Sequence, residues 1–162
     1  MIMNNLPTFV ANSRDVAAAG QMLLASCMAS LSFANTGLGL AHSLAHPVGA
    51  YFHITHGLAC ALYLPAVMEF NAPVCAEKLA SIAGAVGTDV CGLSSEQAAA
   101  EAVRAVRSLF ARVGLPRTFS ETGIDFKLQP KMVDDAFDMG PTKNNPRPAA
   151  KDQIAALFAS AQ

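Results

Sequence analysis

The sequence predicts an all-α fold, a helical bundle, and three observations carry that prediction. No period-2 alternation long enough for a strand appears anywhere in the 162 residues. Long segments rich in Ala, Leu and Met, all good helix formers, lie between capping residues on one side and Gly or Pro on the other. Val103, Val106, Leu109, Phe110 and Val113 recur at i, i+3, i+4 spacing, with Arg104, Arg107 and Arg112 off that stripe on a solvated face. Internal repeats and low-complexity segments are absent. So are a βαβ unit and a G-x-G-x-x-G turn, so the sequence displays no nucleotide fold.

Each element has a local reason. Asp15 caps a helix through Val16–Phe33, and Asn35-Thr36-Gly37 stops it, with Gly37 suited to a left-handed position. A short helix over Leu40–Ala45 is expected to end at Pro47 and Gly49, because proline disfavours helix for the residue before it. Tyr51–Thr55 is then a connector. Gly57–Phe70 forms a third helix kinked at Pro65. Pro73 sits at N1 of a fourth, running to Val86 before Gly87. Ser94 with Gln97 makes a capping box that opens a long helix to Val113, stopped by Gly114 and Pro116. Thr118–Leu128 is irregular, Pro130 starts a helix through Phe137, Asn144-Asn145-Pro146-Arg147-Pro148 is a loop, and Ala150–Ala161 is the terminal helix.

The composition bounds the function. With 11 Lys+Arg against 12 Asp+Glu, the net charge of −1 lacks the cationic footprint of a nucleic-acid binder. Hydrophobic residues at 52% and charged residues at 14% exclude a disordered chain and leave little charge to cover a surface, so the chain is expected to be buried in an oligomer or in something larger. Cys27, Cys60, Cys75 and Cys91 form no C-x-x-C pair and read as reduced, buried, small apolar residues, which favours the cytoplasm. The N-terminus has neither the charged nor the apolar region of a secretory signal. No Asp, Glu, Lys or Arg occurs between Asp15 and Glu69. The stretch is interrupted by Gln21, Asn35, several Ser, four His, Gly and Pro, so we expect a helix pair buried at the centre of a soluble protein rather than a membrane pair.

All four His lie within fifteen residues: His42, His46, His53 and His56. His42 and His46 are four apart on a helix, so their rings share a face, and His56 follows a turn at the start of the next helix. Imidazole is the commonest ligand of divalent first-row metals, so His42, His46 and His56 form a plausible partial site, with His53 a bystander. The competing reading is ordinary hydrogen-bonded helical histidines. Spacing alone leaves both open, because no carboxylate lies within the stretch.

The residues then carry a resemblance. The run Gly37-Leu-Gly-Leu-Ala-His42-Ser-Leu-Ala-His46-Pro-Val-Gly-Ala50, with Thr55-His56-Gly57-Leu-Ala59 and Leu64-Pro65-Ala-Val-Met68-Glu-Phe-Asn71, resembles the C-terminal domain of iron-containing (group III) alcohol dehydrogenases. Leu23-Leu24-Ala25-Ser26 and Asn145-Pro146-Arg147-Pro148 resemble further landmarks of the same family, and the likeness extends over the whole chain, 1–162. The resemblance implies an all-α, dehydroquinate synthase-like helical domain. It implies one divalent metal, iron or zinc, held by an Asp and three His. His42 and His56 match the last two of these ligands, and His46 matches the active-site His with a proton-relay role. It also implies NAD(P)-linked interconversion of small alcohols and aldehydes. The matching Asp and first His would lie before Met1, and the NAD(P)-binding domain would lie upstream too. Metal in the isolated chain is therefore expected to be weak or absent, and cofactor-dependent turnover absent. Thr55 stands where the family often has Pro, and Met139-Gly140-Pro141 where many members carry a Cys.

The chain admits a truncated gene product, a fragment, or a half that pairs with a separate nucleotide-binding chain. A non-catalytic helical scaffold derived from the fold is the alternative. Met22, Met28 and Met68 are expected in the core. Lys143 and Arg147 flank a loop that the resemblance puts near the cleft. An apolar wall around His42, His46 and His56 is expected to drive homodimer formation, with Leu38 and Leu62 in the interface.

Overall fold

Eight α-helices and no strand organise residues 1–161, which are the residues that the computed structural model describes. They are α1 (Ile2–Ala11), α2 (Val16–Thr36), α3 (Leu40–Phe52), α4 (His56–Ala85), α5 (Ser95–Arg112), α6 (Pro130–Asp138), α7 (Gly140–Lys143) and α8 (Lys151–Ala159). A short 3₁₀ turn, Ser120–Thr122, interrupts the otherwise irregular stretch 118–128. The all-α expectation is met.

Several boundaries differ from the sequence reading, each for a physical reason. The Asp15 carboxylate accepts the Ala18 N–H at 2.9 Å and opens α2 as expected. The helix runs on to Thr36 because Asn35 Nδ2 and Thr36 Oγ1 donate back to the Leu31 and Ser32 carbonyls, at 2.7 and 3.2 Å. Gly37 does take positive φ (+76°), but with ψ 176° the chain leaves extended rather than in a left-handed helical turn. That backbone conformation is what requires glycine here; the Asn144 side chain, whose Nδ2 would lie 2.5 Å from a Cβ, is exposed and can move aside.

α3 does not stop at Ala45. It passes through Pro47 and Gly49 to Phe52. Proline inside a helix forfeits one backbone bond and costs about 3 kcal/mol. Here Leu44, Ala45, Pro47 and Val48 are all buried, and that packing offsets the loss. α4 likewise keeps helical φ/ψ through Pro65. The backbone leaves helical geometry at Cys75 (φ −127°, ψ 15°), so the two helical segments expected on either side of Pro73 are both present and meet at a kink two residues beyond it. The Ser94–Gln97 capping box forms both bonds, at 3.2 and 2.9 Å, and Gly114 at φ +71° closes the turn after α5. α1 was not foreseen, since Pro7 lies inside it.

α4 is the spine. It packs most extensively on α5 and next on α3, while α3 also meets α6 and α7, and α8 lies against α6 and α4. The main core gathers Leu40, Leu44, Val48, Met132, Ile154 and three fully buried aromatics, Tyr63, Phe119 and Phe158. Tyr63 meets Phe158 edge-on at 5.7 Å and Phe119 at 5.5 Å, and Phe119 stacks on Phe126 at 4.9 Å. Burial drives the Tyr63 phenol far above its ordinary pKa. A smaller cluster, Leu79, Ala83, Ala99 and Ala102, joins α4 to α5.

The expectation of a helix pair buried at the centre is met only in part by α4, which is central but leaves Leu64, Val74 and Ile82 exposed, and fails for α2. α2 packs mainly on α1, and its apolar side chains stand open: Leu23 is 73% exposed, Leu31 64% and Met28 54%. α2 and α4 are both long and apolar enough to cross a membrane by length and composition. The cysteines are free as expected but not buried: Cys27 and Cys91 are exposed, Cys60 and Cys75 half-buried. Of the three methionines expected in the core, Met68 packs against the smaller cluster, Met22 is half-buried and Met28 is exposed. Leu62 faces the main core and so cannot serve an interface.

Leu62→Lys should therefore abolish cooperative unfolding, since an unpaired buried charge costs about 3 kcal/mol or more. Leu31→Lys, on the open face of α2, should keep the helical circular-dichroism spectrum unchanged.

Candidate metal centre

The site is built where the start of α3 meets the start of α4. Gly39 precedes α3, and the Leu40 N–H is received by Asn145 Oδ1 at 3.3 Å, which fixes the first turn. His42 lies in that turn and His46 one turn further on. The chain turns back through His53, Ile54 and Thr55, and His56 is the first residue of α4. His53 caps α3 with φ +55° and is exposed, in keeping with its reading as a bystander.

The three other imidazoles converge. The His42 and His56 rings are 5.3 Å apart and tilted, and His46 and His56 meet edge-on at 5.4 Å. Cys60, one helical turn beyond His56, puts its Sγ 3.4 Å from His56 Nε2. Donor atoms of His42, His56 and Cys60 all lie within 4.8 Å of one another. Sequence reading missed Cys60, although its i+4 spacing from His56 on an apolar helix is the signal that finds it. His42 and His46 border two different grooves rather than the single cavity expected for the three histidines. His42 and Cys60 border one of about 350 Å³ with Leu64, Asn71 and Asn145. His46 borders another of about 420 Å³ with Tyr51, Asp135 and Met139.

The electrostatics favour neutral donors. Burial first, and then the neighbouring His56 and His46, hold the His42 pKa below its ordinary 6.5. Burial pushes the Cys60 thiol up to about 11. The described residues put no carboxylate in the His42–His56–Cys60 cluster. Nitrogen and sulfur donors at this spacing suit a divalent first-row cation.

The loop 144–148 is more than a surface connection. Asn145 is buried and trades amide bonds with Asn71: Asn145 Nδ2 donates to Asn71 Oδ1 at 2.7 Å, and Asn71 Nδ2 donates to Asn145 Oδ1 at 3.1 Å. Arg147 lies with its guanidinium 4.3 Å from the Phe70 ring centre and donates to the Phe70 carbonyl at 2.7 Å. The loop thus ties the middle of α4 to the N-terminus of α3. Residues 71 and 145 are 74 positions apart, and no local pattern announces the pair. Lys143 is exposed. Arg104, Arg107 and Arg112 are exposed as expected, and Arg107 pairs with Glu69 at 2.9 Å.

This fold and this histidine frame define a class. The profile of the Fe-containing alcohol dehydrogenase family, C-terminal, matches residues 1–162. A probable alcohol dehydrogenase, EutG, of Escherichia coli K12 is 41% identical over 162 residues, covering 100% of this chain and 40% of that protein. Lactaldehyde reductase of the same organism is 39% identical over 152 residues, 94% of this chain and 39% of that one. A crystal structure of 1,3-propanediol oxidoreductase superposes with a TM-score of 0.95 at 34% identity, over 99% of this chain and 42% of that one. An alcohol dehydrogenase from Oenococcus oeni gives 0.91 at 32% identity, again over 99% and 42%. The chain belongs to the iron-containing alcohol dehydrogenase family and corresponds to its C-terminal domain. It spans about 40% of the length of the curated relatives it matches.

A pH dependence follows from His42. Its pKa is lower folded than unfolded, so below about pH 6.5 the unfolded chain binds a proton that the folded chain resists. The stability linked to His42 is present above that pH and is lost as pH falls from 6.5 toward the depressed value. In metal-free protein the urea midpoint should fall over that window, and less steeply in His42→Asn.

Proposed function

We propose that residues 1–162 act as a single helical domain supplying His42 and His56 as two ligands of a divalent metal, iron or zinc, in an NAD(P)-linked oxidoreductase of small alcohols and aldehydes. The observation that supports this most is the 5.3 Å approach of the His42 and His56 rings across two helix starts, next to an apolar-walled groove. The relatives' names support the substrate class: an NAD-dependent methanol dehydrogenase of Bacillus methanolicus is 35% identical over 99% of this chain. A divalent ion held by these imidazoles supplies Lewis acidity toward the oxygen of an alcohol or carbonyl.

This chain's residues supply the surroundings. Leu64, Val67 and Pro146 form an apolar wall on the His42 side that suits a short aliphatic group and sheds water from it. Asn145 and Arg147 hold that wall to α3 and α4. His46 is exposed, edge-on to His56, and can take up the alcohol proton and pass it to solvent. A carboxylate, a further imidazole and the NAD(P) site come from polypeptide outside these residues, on the same chain or a separate nucleotide-binding one. The 162 residues alone hold metal weakly and turn over no NAD(P). We place the protein in the cytoplasm, without a membrane or nucleic-acid partner.

A second reading, a non-catalytic oligomerisation module, draws on one observation: the open apolar face of α2. Assembly itself is compatible with both readings, and we propose a two-fold dimer of the isolated chain through α2.

In a protein carrying this domain together with its nucleotide-binding part, His42→Ala or His56→Ala should strip the metal, read by elemental analysis. His46→Ala should keep the metal and slow NAD(P)-linked alcohol oxidation about 100-fold. Light scattering of the 162-residue chain should give a dimer, and Leu31→Lys should give the monomer of 16.9 kDa. A wild-type monomer would remove α2 as the interface.

A further inference from the structure

We propose that Cys60 is a third metal ligand, joining His42 and His56 as this chain's two-nitrogen, one-sulfur share of a centre that takes zinc in preference to iron(II). The inference rests on the preceding reading of His42 and His56 as ligands and adds to it the thiolate and the metal preference.

The geometry is specific. Zinc binds imidazole nitrogen at about 2.0–2.1 Å and thiolate sulfur at about 2.3 Å, in tetrahedral sites. Two such donors at the tetrahedral angle are about 3.6 Å apart. The Sγ of Cys60 stands 3.4 Å from Nε2 of His56, and the widest separation within the three-donor set is no more than 4.8 Å. A contraction of about 1 Å, within reach of side-chain rotation, brings all three donors to one ion. The order of the donors on the chain assists: His56 and Cys60 are consecutive turns of one rigid helix, and His42 faces them from the first turn of α3.

The chemistry points the same way. A thiolate selects borderline and soft ions, and zinc outranks iron(II) on the same ligands. On ligation the S–H bond of Cys60 breaks, the sulfur keeps the electron pair and donates it to the ion, and the proton leaves to solvent. No oxidant or reductant takes part. The other cysteines have no such neighbours among the described residues: Cys27 and Cys91 are exposed, and neither belongs to a three-donor cluster.

Cobalt(II) as an optical stand-in for zinc tests this. Protein carrying this domain together with its nucleotide-binding part is stripped of metal and titrated with cobalt(II) in the absence of other thiols. The expected result is one bound cobalt with a thiolate-to-cobalt charge-transfer band in the near ultraviolet. The band should persist in Cys91→Ser and vanish in Cys60→Ser and Cys60→Ala, which still bind cobalt. The ratio of zinc to iron(II) affinity should drop about 10-fold or more in Cys60→Ser, a loss at least as large as that from an outer-shell change. Circular dichroism confirms that both variants fold, the serine variant being nearly isosteric. Bound cobalt without the band, or a band surviving in Cys60→Ser, overturns the thiolate and leaves the two-histidine reading standing. No bound cobalt at all overturns both.

Discussion

The return of the chain from α3 into α4 through three residues, His53, Ile54 and Thr55, is the constraint on which the rest depends. So short a connection forces the two helices to lie side by side. Ile54 is buried beneath the turn, and His53 accepts a left-handed backbone to make it. Their apolar faces, Leu40, Leu44 and Val48 on one and Ala59, Leu62 and Tyr63 on the other, then share one core. The histidines sit on the complementary faces. The packing that buries the leucines is therefore the packing that brings imidazoles to within 5.3 Å of each other.

That proximity has an electrostatic consequence. Burial first, and then the His56 and His46 rings beside it, disfavour the protonated form of His42. The neutral imidazole so favoured at His42 is the form a metal needs. Cys60 adds a protonated thiol at hydrogen-bond distance from His56. The buried Asn71–Asn145 pair keeps the arrangement in place from behind. Removing one member would leave its partner's amide unsatisfied, at a cost of about 1–3 kcal/mol.

The surface of α2 has a different logic. A helix apolar on all sides belongs inside something. Here α1 covers one side only, and Leu23, Leu24, Met28 and Leu31 remain open. The main core is self-sufficient without it: Tyr63, Phe119 and Phe158 close on one another between α4, the irregular stretch 118–128 and α8. The exposed helix and the sparse donor set agree with a chain that spans about 40% of its relatives.

The sequence by itself determined the helical class, the caps at Asp15 and Ser94, and the shared face of His42 and His46. These are local: a carboxylate three residues from an amide, or two side chains one turn apart, need nothing beyond the chain's own geometry. It also carried the family, through a run of residues from Gly37 to Asn71. Tertiary structure alone decided the rest. Pro47 read as a break, yet α3 runs through it, because buried neighbours outweigh one lost backbone bond. α2 read as central because its composition is apolar, but composition does not say which elements are there to cover it. Asn145 pairs with Asn71 across 74 residues, and Cys60 reaches His42 only when α3 folds back on α4. Contacts between distant parts of the chain depend on how whole helices pack, and that is set by the summed burial of the core rather than by any local pattern.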